Sequence, residues 1–307
     1  MLRGSLLAIA VVVSIAAAGR AQVSSALYPD ASTLAFGIDV KAITSSPLGK
    51  KVIGSDRPFD ATRKLLKALF PSQVFSITDN ALKPLETVTN RLERVTAVAS
   101  VTRGNWPPPI VVYLEGEIDE EEYFKAAEAI AKQESKPFKV EKLGERRLFV
   151  VGNDQTTIHG LRVNQSLFLV ATSRDLIDEV LEKHAGKKRA KLQPTFTAHL
   201  KKVKSAETPI WLVVGGMEVI DGLSGIATIG LKDDAEFRME VACEKEDMAR
   251  SLETGLGHVV EYLTQSQTPQ AKLWDAARIT AKREGTTVTA TGSIPGKLLA
   301  EEYAKQK

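Results

Sequence analysis

An α+β fold, with antiparallel sheets and amphipathic helices packed on one face, is predicted by three observations. Short runs that alternate apolar and polar residues follow one another across turns too short for a crossover. Between them lie segments whose apolar residues recur at helical spacing. The 307 residues are 43% hydrophobic and 26% charged, close to the averages for folded domains, which argues against a disordered, collagenous or multi-pass membrane chain.

The first element is a leader. Arg3 precedes an apolar run from Leu6 to Ala18, and Gly19, Arg20 and Ala21 supply small residues for cleavage, the pattern of a secretory signal peptide. Thirteen residues at about 1.5 Å each reach about 20 Å, short of a hydrocarbon core of about 30 Å. Cleavage is expected after Ala21, with Ala26 as second choice and an uncleaved anchor as the competing reading. Removal takes away Arg3 and Arg20 and no acid, so 39 basic residues face 38 acidic ones and the net charge is +1. That balance gives no overall electrostatic footprint for nucleic acid.

Residues 22–33 are polar and are expected to form a flexible lead-in. Leu34 to Val40 reads as a buried strand, and Pro47 fits the first turn of a short helix through Lys50 and Val52. Ala61 to Phe70 carries Leu65, Leu66 and Leu69 on one side of a helix that stops at Pro71. Val95 to Val101 alternates as a strand, and after three prolines Ile110 to Leu114 is a second. Asp119 is placed to cap a helix, with Glu120, Glu121 and Glu122 in its first turn and Phe124, Ala127, Ile130 and Ala131 on one face.

A meander of four strands is expected next: Phe138 to Leu143, Arg147 to Val151, Thr156 to Val163, and Leu167 to Ala171. Ser173 then caps a helix from Arg174 to His184, with Gly186 as its stop. Strands follow at Ile210 to Val214, Gly225 to Leu231 and Phe237 to Cys243. A long helix covers Glu246 to Gln265, with a short one near Leu273 and Trp274. A hairpin, Ile279 to Lys282 and Thr286 to Gly292, and a small helix from Lys297 close the chain. Thr287, Thr289 and Thr291, set against Val288 and Ala290, imply a sheet with one solvated face.

The expected organisation is therefore a leader at 1–21, a lead-in at 22–33, an N-terminal lobe at 34–200 and a C-terminal lobe at 201–307. Leu34 to Ile43 resembles Trp211 to Ile220 in pattern, which suggests two related lobes by duplication; reuse of common local patterns is the alternative.

The combination of leader, Tyr28-Pro29-Asp30-Ala31-Ser32-Thr33-Leu34-Ala35-Phe36, Ser46-Pro47-Leu48-Gly49-Lys50-Lys51, the strand Val111 to Ile118 entering an acidic helix start, and Ser173-Arg174-Asp175-Leu176 leading to His184-Ala185-Gly186-Lys187-Lys188 resembles exported planctomycete-type bacterial proteins of unknown function. The resemblance implies export and a non-enzymatic role. It carries no catalytic residues across.

No motif for chemistry stands out. His159, His184, His199 and His258 include no pair at i, i+3 or i+4 and no His-Glu-x-x-His, so no metal site is expected. Gly222-Leu223-Ser224-Gly225 lacks the Gly-x-Ser-x-Gly spacing of a nucleophile elbow, although a triad assembled from scattered residues is defined by geometry rather than order. Gly225 and Gly230 have P-loop spacing, but Leu231 separates Gly230 from Lys232 and no Ser or Thr follows the lysine. Cys243, on the apolar side of its strand, reads as a buried core thiol. The acidic run Glu115 to Glu122 is explained by helix capping rather than calcium. The basic run Lys183 to Lys191 could touch an anionic polymer or lipid head groups and is read first as a solvated helix end and loop.

One segment points outward. Trp106-Pro107-Pro108-Pro109 places a tryptophan beside a pre-ordered extended backbone, a candidate interaction tip for a protein or glycan. The expected function is an exported, non-catalytic protein, binding an unknown protein or envelope component or structural in the periplasm or cell envelope. No cofactor, no nucleic acid and no membrane span after cleavage are expected. A secreted hydrolase with a dispersed site is the alternative, and a small apolar ligand between sheet and helices a third possibility.

Overall fold

The computed structural model describes residues 24–53, 58–69, 88, 91–102, 107–153, 156–204, 206–216, 222–265 and 271–305. The expected leader at 1–21, the turn at Arg103 to Asn105 and Trp106 lie outside the described residues. In chain order the strands are β1 (Leu34–Ile38), β2 (Leu92–Ala99), β3 (Ile110–Gly116), β4 (Phe138–Leu143), β5 (Arg146–Asn153), β6 (Thr156–Asn164), β7 (Leu167–Ala171), β8 (Ile210–Gly215), β9 (Leu223–Leu231), β10 (Ala235–Cys243), β11 (Thr280–Glu284) and β12 (Thr287–Ile294). The helices are α1 (Val40–Ser45), α2 (Pro47–Ile53), α3 (Pro58–Leu69), α4 (Glu120–Gln133), α5 (Arg174–His184), α6 (Pro194–Lys202), α7 (Glu246–Gln265), α8 (Ala271–Ala276) and α9 (Gly296–Ala304). The fold is α+β with antiparallel ladders, as the alternation of strand and helix patterns predicts.

The chain forms two compact units, and their borders differ from the expected lobes. One comprises Met1–Lys41 and Ile77–Leu192, the other Ala42–Ser76 and Gln193–Lys307. The segment holding α2 and α3, expected in the N-terminal lobe, belongs with the C-terminal one, because α9 packs on both helices. The cut after Leu192 also assigns α6 to the second unit, where it packs on β8 and β9.

The first unit holds strands in the order β1-β2-β3-β7-β6-β5-β4. Register fixes which side each residue faces. Tyr113 of β3 stands opposite Thr96 and Leu169, and its neighbour Leu114 opposite Val95 and Phe168, so the two point to opposite faces. On the Tyr113 face lie α5 and the segment before β1: the Tyr28 ring is 5.7 Å from that of Tyr113, whose hydroxyl donates to the Leu27 carbonyl at 2.8 Å. On the other face lies α4, where Tyr123 stacks on Phe168 at 4.5 Å and Phe124 meets Phe149 edge-on at 5.5 Å. Where one covered face was expected, this sheet carries a helix on each, and most of β2 and β3 is buried. The helix start is as predicted: Asp119 Oδ1 accepts from the amides of Glu121 and Glu122.

Gly160 shows how tightly the aromatic face is closed. It pairs with Phe149, and a Cβ at 160 would run into the Phe149 ring lying across it. Gly160→Ala is expected to cost about 1–3 kcal/mol through overpacking. Thermal unfolding would show it as a lowered midpoint, partly recovered when Phe149→Leu is added.

The second unit holds the order β11-β12-β10-β9-β8. One face is covered by α7, with Met248, Leu252 and Leu256 packed against Val241, Cys243, Ala249 and Val288. The opposite face carries Thr287, Thr289 and Thr291, the first two half-buried and Thr291 exposed, while Val288 and Ala290 are buried.

The lead-in is not loose. Residues 25–27 form a 3-10 turn, Tyr28 is wholly buried, and Ser32 and Thr33 are nearly so. Thr33 Oγ1 accepts from the Val101 amide at 3.0 Å and the Thr33 amide donates to the Ala99 carbonyl at 3.0 Å. Burial of one large aromatic, rather than local sequence polarity, decides the order of this stretch.

Candidate functional site

The reactive side-chain types come together on the solvated face of the second unit. Helix α6 begins with Pro194 at its first position, and Phe196 is buried against Gly215, which has no side chain to hold it off. One turn on, His199 Nε2 lies 3.4 Å from Ser224 Oγ, and at the helix end Lys202 Nζ donates to Glu240 Oε1 at 2.6 Å. Ser224 shares its face of β9 with Ile226 and Thr228. Beside them opens a cavity of about 340 Å³ bordered by Lys202, Lys204, Glu207, Thr228, Arg238 and Glu240.

A nucleophilic serine needs a histidine that a third group orients, and donors aimed at the developing oxyanion. His199 Nδ1 is buried and has no hydrogen-bond partner. Burial, then the Lys202 ammonium, holds the imidazole below its usual range against the pull of Glu240. The Glu240 carboxylate faces Lys202, whose hydrogen bond keeps it ionised below the usual carboxylate range, with Arg238 3.8 Å away. Ser224 sits within a strand paired on both sides, opposite Gly215 and Ala242, so neighbouring amides belong to ladder bonds. The pair can share one hydrogen bond; among the described residues no third group orients His199 and no free donors are aimed at an oxyanion beside Ser224.

A second constellation lies in the first unit. Lys183 of α5 is fully buried, and its ammonium donates to the Tyr28 carbonyl at 2.6 Å, Asp30 Oδ1 at 2.7 Å and Glu179 Oε1 at 2.7 Å. The Asp30 amide donates to Glu179 Oε1 at 2.9 Å and the Lys191 amide to Asp30 Oδ1 at 3.0 Å. Burial works against ionisation of Asp30, but hydrogen bonds from Lys183 and Lys191 outweigh it and hold the carboxyl at about 2. Lys183, read from sequence as part of a solvated basic run, is instead the centre of an N-terminal latch.

The third constellation is a buried charge network. Arg94 Nη2 lies 2.5 Å from Asp39 Oδ2, and Nη1 lies 3.7 Å from Glu115 Oε2, with all three side chains at most 10% exposed. Glu115 stands opposite Arg94 in the β2–β3 register. Nearby Tyr28 keeps its proton, its hydroxyl pushed well up by burial and then by Glu115, with Arg94 opposing.

The remaining sequence candidates have separate surroundings. Of the proposed interaction tip, Pro107 is exposed, Pro108 buried and Pro109 half-buried, with its carbonyl accepting from the Ser100 amide at 3.1 Å; Trp106 lies outside the described residues. His159 is half-buried, and burial followed by Arg174 lowers its pKa. His184 is 3.5 Å from the Asn164 amide group, and His258 is exposed, 3.8 Å from Glu261. Gly225 and Gly230 lie inside strand β9. Cys243 is a free, buried thiol whose pKa burial raises. In the acidic run, Asp119 caps α4, Glu120 and Glu121 reach Arg147, and Glu122 reaches Arg91. Among the described residues, no group of three or more His, Cys, Asp or Glu is placed to hold a metal ion, and no helix is long and apolar enough to cross a membrane.

The sequence reading does not single out Arg94, and it names Lys183 and His199 only as part of a basic run and as an isolated histidine. Arg94, next to Glu93 at the start of its strand, had no distinguishing local signal, whereas Lys183 had one, an acid four residues before it on one helix face.

No family model matches the chain, and no curated protein does. Among solved structures, crystal forms III and IV of TP0453 align over 95% and 94% of this chain and 97% and 94% of theirs, at 9% identity and TM-scores of 0.47 and 0.43.

Proposed function

We propose that this chain is an exported, non-catalytic protein with a binding or structural role in the periplasm or cell envelope, working without residues 1–21. The single observation that carries the non-catalytic part is the state of its best nucleophile candidate: Ser224 within a paired strand, facing a histidine whose Nδ1 has no partner among the described residues. The export part rests on the apolar leader. Cleavage after Ala21 fits better than after Ala26, because Ala26 lies in the 3-10 turn and its amide donates to Ser24 Oγ at 3.3 Å. Trp106 with Pro107, Pro108 and Pro109 remains the segment proposed to meet a protein or glycan partner.

The competing hydrolase reading is favoured by one observation, the approach of His199 to Ser224 in a half-buried setting. A fluorophosphonate probe, together with ester, peptide and glycoside substrate panels, separates the two. No labelling of Ser224 and no turnover are expected. Labelling that disappears in Ser224→Ala, together with a turnover that the same variant abolishes, would replace this proposal with the hydrolase. Export is tested separately by the mass of the protein recovered from the envelope fraction, which should begin at Gln22.

A further inference from the structure

We propose that the loop following α5, carrying Lys187, Lys188, Arg189 and Lys191, is a docking surface for a linear anionic polysaccharide. The inference stands apart from the export reading and holds whether or not a leader is removed. Lys187, Arg189 and Lys191 are exposed and form no ion pair among the described residues, and Lys188 is still 39% exposed. Asp30 and Glu179, held by the buried Lys183, also reach Lys188 at 3.4 and 3.5 Å, which leaves Lys187, Arg189 and Lys191 as the unpaired cations of the loop among the described residues.

The loop is also pre-ordered. Gly186 adopts the left-handed conformation at φ 71°, its amide donates to the Lys183 carbonyl, and the Lys187 amide donates to the Glu182 carbonyl at 2.9 Å. Lys191 is fixed at the far end by the hydrogen bond its backbone amide donates to Asp30 Oδ1. A rigid cluster of cations loses little conformational freedom on meeting a charged partner.

The shape of the partner follows from what surrounds the loop. Asp175 and Glu182 are exposed on α5, and the exposed large hydrophobic side chains among the described residues, Val140, Val259 and Tyr262, lie elsewhere in the sequence. A flat anionic bilayer would meet the exposed helix acids together with the loop cations and, among the described residues, would find no large exposed apolar side chain in the loop to insert. A thin polyanionic chain can touch the loop alone. Lysines without a planar aromatic platform suit diffuse charge on a saccharide rather than stacked bases.

The test titrates the purified full-length chain with heparin and with polygalacturonate, alongside vesicles of neutral and anionic phospholipid and a single-stranded oligonucleotide. Both polysaccharides should bind, and about four contacts should make affinity fall about 50-fold between about 50 and about 200 mM salt. The triple variant Lys187→Gln/Arg189→Gln/Lys191→Gln should lose most of the affinity and of the salt dependence. The control Lys125→Gln/Lys132→Gln/Lys142→Gln, which removes equal charge elsewhere, should keep both, and unchanged thermal unfolding of both variants excludes a folding defect. Absence of polysaccharide binding, binding unaffected by the loop variant, or tighter binding to the vesicles or the oligonucleotide overturns the proposal.

Discussion

Replacing Lys183 by methionine should destabilise the protein by about 3 kcal/mol, because it leaves two carboxylates and a buried carbonyl facing an apolar side chain. The lower end of the range for broken buried pairs applies, since Asp30 and Glu179 keep 29% and 21% of their side-chain surface in solvent and can partly rehydrate. For a chain of this size unfolding in one step, that corresponds to a loss of about 5 °C in the unfolding midpoint. Hydrogen exchange should localise the damage, with faster exchange at the amides of Asp30 and Lys191, which the latch now holds. The acid side of the stability profile gives an independent check. Asp30 is depressed from 3.8 to about 2, and Glu179 is lowered as well, in both cases by Lys183 and a backbone amide overcoming burial. A depressed folded-state pKa contributes stability that is complete above the unfolded value and is lost as pH falls through the folded one. Wild-type stability should therefore drop between about pH 4.5 and about pH 2, and Lys183→Met should flatten that slope. A variant as stable as wild type, with the same acid profile, would show that the lead-in is held by Tyr28 alone.

How far the sequence announces this structure depends on the range of the interaction involved. The capped helix α4, the meander from Phe138 to Ala171 and the solvated threonine face of β12 are local patterns, and each lies where the spacing places it. Helix α6 escaped notice because its apolar set, Phe196 and Leu200, is too small to set a period against the lysines around it. The lead-in was misread because polarity along residues 22–33 says nothing of Tyr28 finding Tyr113 or Lys183, about 85 and 155 positions away. The same limit hid the unit borders. The faces of α2 and α3 declare that they pack on something, but only the folded chain reveals α9 as the partner. His199 and Ser224, separated by 25 positions, meet through the packing of α6 on β8 and β9, which no spacing rule encodes.

Arg94 tests whether the buried charges stabilise the fold or only depend on one another. Its guanidinium serves Asp39 and Glu115 while all three are at most 10% exposed, so Arg94→Met takes from two buried carboxylates the cation they share. The expected cost is about 3–5 kcal/mol, read by chemical denaturation. A buried ion network also bears the desolvation of each of its members, so removing the whole of it need not cost as much as removing one part. Adding Asp39→Asn and Glu115→Gln to Arg94→Met should therefore recover more than half of the loss, since amides keep the shape of the carboxylates without demanding a countercharge. The two side-chain changes alone, with Arg94 retained, should cost more than the triple variant, because they leave the guanidinium buried and unpaired. If instead every combination loses the same amount, the network's worth lies in the shape of the β1–β2–β3 corner, where the β2–β3 register shifts between Leu92 and Arg94, rather than in charge compensation.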